Sequence, residues 1–84
     1  MNQKLEITKQ EDQSNEMYAG QATRQDGHTF SFNIYQQTAY LWNTEYCITS
    51  EGQIIEKSIK YTDTMLNAFV WASELYRDWR PEGY

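Results

Sequence analysis

An α+β fold, a four- or five-stranded antiparallel meander with one C-terminal helix packed on one sheet face, is predicted from three observations. Apolar residues alternate with polar ones in short segments between residues 4 and 59. Gly-containing turns, Gln25-Asp26-Gly27 and Ser50-Glu51-Gly52, separate some of those segments. After residue 62 the apolar period changes from two to 3.6 and runs almost to Pro81. Strands joined by tight turns pair antiparallel. A single helix covers only one face of a sheet, which leaves the other face to water or to a partner. At 84 residues the chain is one domain, 1–84. Strands are expected at about 4–9, 16–24, 28–36, 40–50 and 53–59, a helix at about 63–80, and a short tail at 81–84.

The first strand rests on Leu5 and Ile7 alternating with Lys4, Glu6 and Thr8. A polar loop follows at 10–15. In the second strand Gly20 and Ala22 are poor strand formers. Their small size points to close packing of something large at mid-strand. The third strand is the clearest: Phe30, Phe32 and Ile34 point one way, and Thr29, Ser31, Asn33 and Tyr35 the other. In the fourth, the parity of bulky residues fails near Asn43-Thr44, which predicts a bulge or a break there. The fifth carries Ile54, Ile55 and Ile59.

Thr62 or Asp63 is the expected helix N-cap, its side-chain oxygen accepting from free backbone N–H groups. Placed at about 100° per residue, Met65, Ala68, Phe69, Ala72, Leu75, Tyr76 and Trp79 fall within about 120° of arc, free of charge, and form the core stripe. Asp63 and Arg77 with Arg80 flank the helix with charges that suit its dipole. Pro81 ends it.

Composition narrows the functions. Aromatics make up 15% of the chain, too many for a disordered segment. The net charge is −5, and the seven basic residues form no stripe. Direct nucleic-acid binding therefore lacks its main driving force. Cys47 is the only cysteine and no signal peptide is recognisable, so the expected setting is the reducing cytoplasm. No membrane span is expected.

The reactive groups give no catalytic pattern. His28 stands alone beside a turn, as a strand-end surface histidine, and a metal site would lack paired thiolates. Cys47 with His28 as base would need an electropositive setting, yet Glu45 and Glu51 are close in sequence. The four glycines are too far apart for a phosphate-binding loop. No cofactor, metal or catalytic residue is predicted.

What remains is surplus apolar surface. Leu66 and Val70 lie outside the core stripe, at about 100° and 140°, and Trp71 lies on the opposite flank near 240°. Tyr35, Tyr40, Trp42 and Tyr46 are more aromatics than one covered face of a small sheet absorbs. These seven residues are the candidate partner-binding set, because Tyr and Trp give large contact area at low entropic cost. Glu45, Glu51 and Glu56 are the candidate acidic rim.

The expected function is a small non-enzymatic protein-binding domain, homodimeric or bound to another protein. An alternative is an inhibitor encoded by a phage or mobile element, covering a basic, nucleic-acid-binding surface of a host protein with placed carboxylates. Two further readings are a single-strand nucleic-acid binder stacking bases on Tyr35, Tyr40 and Trp42, and a small-ligand enzyme built at a dimer interface.

Overall fold

The computed structural model describes residues 2–10 and 16–81. Most of the loop expected at 10–15, and the tail beyond Pro81, lie outside the described residues. Five strands follow in chain order: β1 (Thr8–Lys9), β2 (Met17–Thr23), β3 (His28–Thr38), β4 (Leu41–Ser50) and β5 (Gln53–Thr62). Each pairs antiparallel with its neighbour, so the sheet order is the chain order. The helix, α1 (Met65–Asp78), packs on one face. The predicted α+β meander is the observed fold.

Register shows which side chains share the helix. Ala22, Phe30 and Ile48 stand in one row, Gly20, Phe32 and Tyr46 in the next, and Tyr18, Ile34 and Thr44 in the third. Phe30, Phe32, Ile34 and Ile48 are fully buried against Ala68, Ala72 and Tyr76 of α1. Each such large side chain contributes about 1.5–3 kcal/mol on burial. Phe30 is the hub: Tyr76 and Trp79 meet its ring edge-on, at 5.2 and 5.8 Å between centroids. The opposite face carries Thr29, Ser31, Asn33, Glu45 and Thr49, and no described helix covers it.

The expected strand at 4–9 shrinks to two residues. The preceding segment stays tied to β2 where the Gln3 N–H donates to the Thr23 carbonyl. Between there and Thr8 it passes over Gly20, so that a Cβ on Gly20 would overlap the carbonyl oxygen of Glu6 and sit 3.0 Å from the Ile7 Cα. Leu5 and Ile7 pack on the core from there. The object that the small Gly20 admits is the N-terminal backbone itself. Tyr76 clips it by donating from its hydroxyl to the Gln3 carbonyl, at 2.7 Å.

The bulge expected at Asn43-Thr44 is a second correction. Both residues pair regularly, Asn43 with Tyr35 and Tyr61, Thr44 with Ile34 and Lys60. Parity fails because both are buried on opposite faces. Thr44 is on the helix face, whereas Asn43 donates from Nδ2 to Gln37 Oε1 at 2.8 Å on the other. The register shifts lie elsewhere, between Gln36 and Thr38, and at Ile55, which has no opposite residue between Ile54 and Glu56.

β5 runs three residues beyond the expected end, and the N-cap is Thr64 rather than Thr62 or Asp63. Its Oγ1 accepts from the Asn67 N–H at 3.0 Å, and Asp63 accepts from the Asn67 side chain at 2.7 Å. The helix stops at Asp78, two residues before the expected end, since Trp79 is already extended at ψ 137°. Pro81 bars Arg80 from helical geometry, and the early turn swings Trp79 onto Phe30 and His28.

Candidate interaction surface

The sheet separates the chain's two most reactive groups. His28 lies on the helix side, its ring 5.1 Å from that of Trp79 and its Nδ1 3.1 Å from Asp26 Oδ1. It is half-buried, where a surface position was expected. Cys47 is half-buried on the opposite face, in a row between Ser31 and Lys57. A Cys47–His28 couple would have to act through the sheet.

The most buried charged group is Arg24, and it is structural. Its guanidinium pairs with Asp26 and donates from Nη1 to the carbonyls of Tyr76 and Trp79, at 3.2 and 2.6 Å. These are among the carbonyls left without partners at the end of a helix. The same group lies 4.9 Å from the centroid of the Phe30 ring. The hydrogen bond from Arg24 holds the Asp26 carboxyl well below the usual carboxylate range.

The expected partner-binding set divides in three. Leu66 and Val70 are exposed, Leu66 at 68%, and so is Tyr40 at the β3–β4 turn, at 84%. Tyr35, Tyr46 and Trp71 are half-buried. Tyr35 sits on the open sheet face and donates to Glu45 at 2.8 Å. Tyr46 lies on the helix face, its ring 5.2 Å from Trp71 and its hydroxyl donating to Glu56 at 2.7 Å. Burial and that bond push the Tyr46 hydroxyl pKa up to about 12. Trp42 is the correction: it is 8% exposed and belongs to the core. Its parity places it in the helix-face row between Gln36 and Thr62, so it offers a partner nothing.

The acidic rim is also corrected. Glu45 is on the open face, Glu56 on the helix face, and Glu51 at the tip of the β4–β5 turn. Glu45 and Glu56 are occupied within the fold, Glu45 by Tyr35 and Glu56 by Tyr46 and the indole N–H of Trp79 at 3.3 Å. They do not make one acidic patch.

The surface that sequence reasoning missed is β5. This ten-residue strand is the last in the sheet order, so one of its two edges pairs with β4 and the other with no described strand. Along it Ile54, Ile55, Ile59 and Tyr61 are all exposed, Ile54 at 62%. Ile59 and Tyr61 project from the open face, beside Glu45 and Asn43. Next to Ile59, a shallow depression of about 600 Å³ runs past Ser31, Asn33, Cys47 and Lys57. The available signal was the adjacent Ile54-Ile55 pair, which alternation cannot bury on one face, in the last strand of a meander.

Among the described residues no group of three His, Cys, Asp or Glu side chains is placed to hold a metal ion. Among the same residues no helix is long and apolar enough to cross a membrane. In comparisons with known proteins, the chain matches no family model, no curated protein and no solved structure.

Proposed function

We propose that this chain is a small protein-binding domain that acts by surface contact rather than by bond chemistry, and that it associates with itself. The observation that carries the reading is the combination on β5 of a ten-residue edge that no described strand pairs with and four exposed large apolar residues, Ile54, Ile55, Ile59 and Tyr61. An unpaired strand edge presents a row of backbone donors and acceptors to any second strand. Exposed apolar side chains add the non-directional part of the affinity. The sheet between Cys47 and His28 removes the one nucleophile–base pair the sequence offered.

Sedimentation over about 1–100 µM tests this directly, because association makes mass depend on concentration. The mass is expected to rise from 10.0 kDa toward twice that value. The double variant Ile54→Lys with Ile59→Lys, at two exposed positions, should fold and remain monomeric. A wild-type mass that stays at the monomer value throughout contradicts self-association.

A further inference from the structure

We infer that the second copy adds to the β5 edge, joining two five-stranded sheets into one continuous antiparallel sheet with its two-fold axis at Ser58. This inference rests on the self-association proposed above and specifies its geometry. A closed dimer is isologous: the same patch meets itself. For neighbouring antiparallel strands the two-fold axis is then normal to the sheet. Each residue keeps its face, so the axis passes through a residue rather than between two. That leaves few registers, and charge chooses among them.

An axis at Lys57 or at Lys60 sets lysine directly against lysine, and an axis at Glu56 sets glutamate against glutamate. Like charges directly opposite each other are destabilising. An axis at Ile59 opposes Ser58 to Lys60 and forms no ion pair. An axis at Ser58 opposes Glu56 to the second copy's Lys60, and by symmetry does so twice. Both residues lie on the helix face, in rows with Ile48 and Thr44. Neither Glu56 nor Lys60 is in an ion pair with a described residue of its own chain. Glu56 is also held in place: Tyr46 and Trp79 donate to its two oxygens, at 2.7 and 3.3 Å. On the open face the same register sets each Ile59 opposite a Lys57 stem, with the two Ile59 side chains diagonal across the axis. Diagonal neighbours on one sheet face are within reach of long side chains. Beyond the regular ladder, Ile55 and Ile54 come opposite the second copy's Tyr61 and Thr62.

Edge lysines ordinarily discourage strand addition. Here Lys57 and Lys60 disfavour the registers centred on themselves, and Lys60 favours the one centred on Ser58 by meeting Glu56.

The test is a disulfide across the axis, in a Cys47→Ser background so that only the introduced thiol reacts. Residues directly opposite in an antiparallel pair have Cα atoms about 4.5–5.5 Å apart, within disulfide reach. Ser58→Cys should give a covalent dimer on mild oxidation. Thr62→Cys, whose two copies would stand about 26 Å apart along the strands, should not. Lys60→Glu, at an exposed position, opposes carboxylates on both sides of the axis and should raise the dissociation constant at least about tenfold. If sedimentation shows a dimer but Ser58→Cys cross-links no better than Thr62→Cys, edge pairing at Ser58 is wrong while self-association survives. A protein that is monomeric at every concentration overturns both.

Discussion

Arg24 ties its own turn to β3 and to the end of α1 with one planar group. It pairs with Asp26, caps the carbonyl end of α1, and lies over Phe30 and Trp79. A lysine would carry the charge without the planar fork that reaches several acceptors at once. The linked prediction concerns Asp26, whose carboxyl is held below its ordinary range first by the hydrogen bond from Arg24. A depressed pKa means that the unfolded chain takes up the proton first as acid is added. The contribution is therefore complete above the unfolded carboxylate pKa, near 4, and is lost as pH falls through the lower folded value. Denaturation midpoints measured between about pH 7 and pH 2 should fall below about pH 4, and Asp26→Asn should flatten that fall. Little of this clasp was legible in the sequence, because Arg24 sits 52 residues from Tyr76 and nothing local announces the contact. His28 was misplaced for the same reason: its half-buried site depends on Trp79, which reaches it only because the helix ends early.

Elements were legible where period and punctuation agreed, and blurred where tertiary contacts overrode them. β3 and the α1 stripe read directly, since Phe30, Phe32 and Ile34 alternate cleanly onto one face and the stripe residues recur at helical spacing. The first strand misread because its alternation serves a segment crossing Gly20 rather than a paired ladder. Gly20→Ala tests that crossing. The added methyl meets backbone, which yields less than a flexible side chain, so the variant should lose about 2–3 kcal/mol in chemical denaturation. The β4–β5 turn makes the opposite prediction. Its two central residues, Glu51 and Gly52, both have positive φ, at 52° and 78°, the geometry of a type I′ hairpin turn. Glu51 has a Cβ in a region that L-residues avoid. Glu51→Asn should stabilise by about 0.5–1 kcal/mol, since Asn tolerates that conformation far better. An unchanged or lower midpoint would mean that the turn takes another form in solution.

At the scale of the molecule, the surplus of apolar side chains expected from composition exists, though its members differ. Trp42 is spent on the core, and Tyr46 and Trp71 are spent largely on each other. Leu66, Val70 and Tyr40 are exposed, but they are joined by four residues of β5 that composition could not distinguish from core. The reason is that strand order, not sequence, decides which strand is an edge. Isoleucines in a central strand would be covered by neighbours on either side. In the last strand of a meander they are left at the margin, where α1 reaches only part of the strand. The helix instead spends its apolar face on Phe30, Phe32 and Ile34 near the sheet centre. The proposed protein-contact reading rests on this architecture: one well-built core, one sheet face that α1 leaves uncovered, and one apolar edge with nothing described beside it.

Amide hydrogen exchange along β5, followed as a function of protein concentration, tests this account most directly. Its outward-pointing N–H groups face no described strand of their own chain, so they should exchange fast in dilute protein. Between about 1 and 100 µM they should become protected, in step with the rise in mass, while the Gly27 turn remains unchanged. Protection that appears instead around Leu66 and Val70, or exchange along β5 that ignores concentration altogether, would contradict the account.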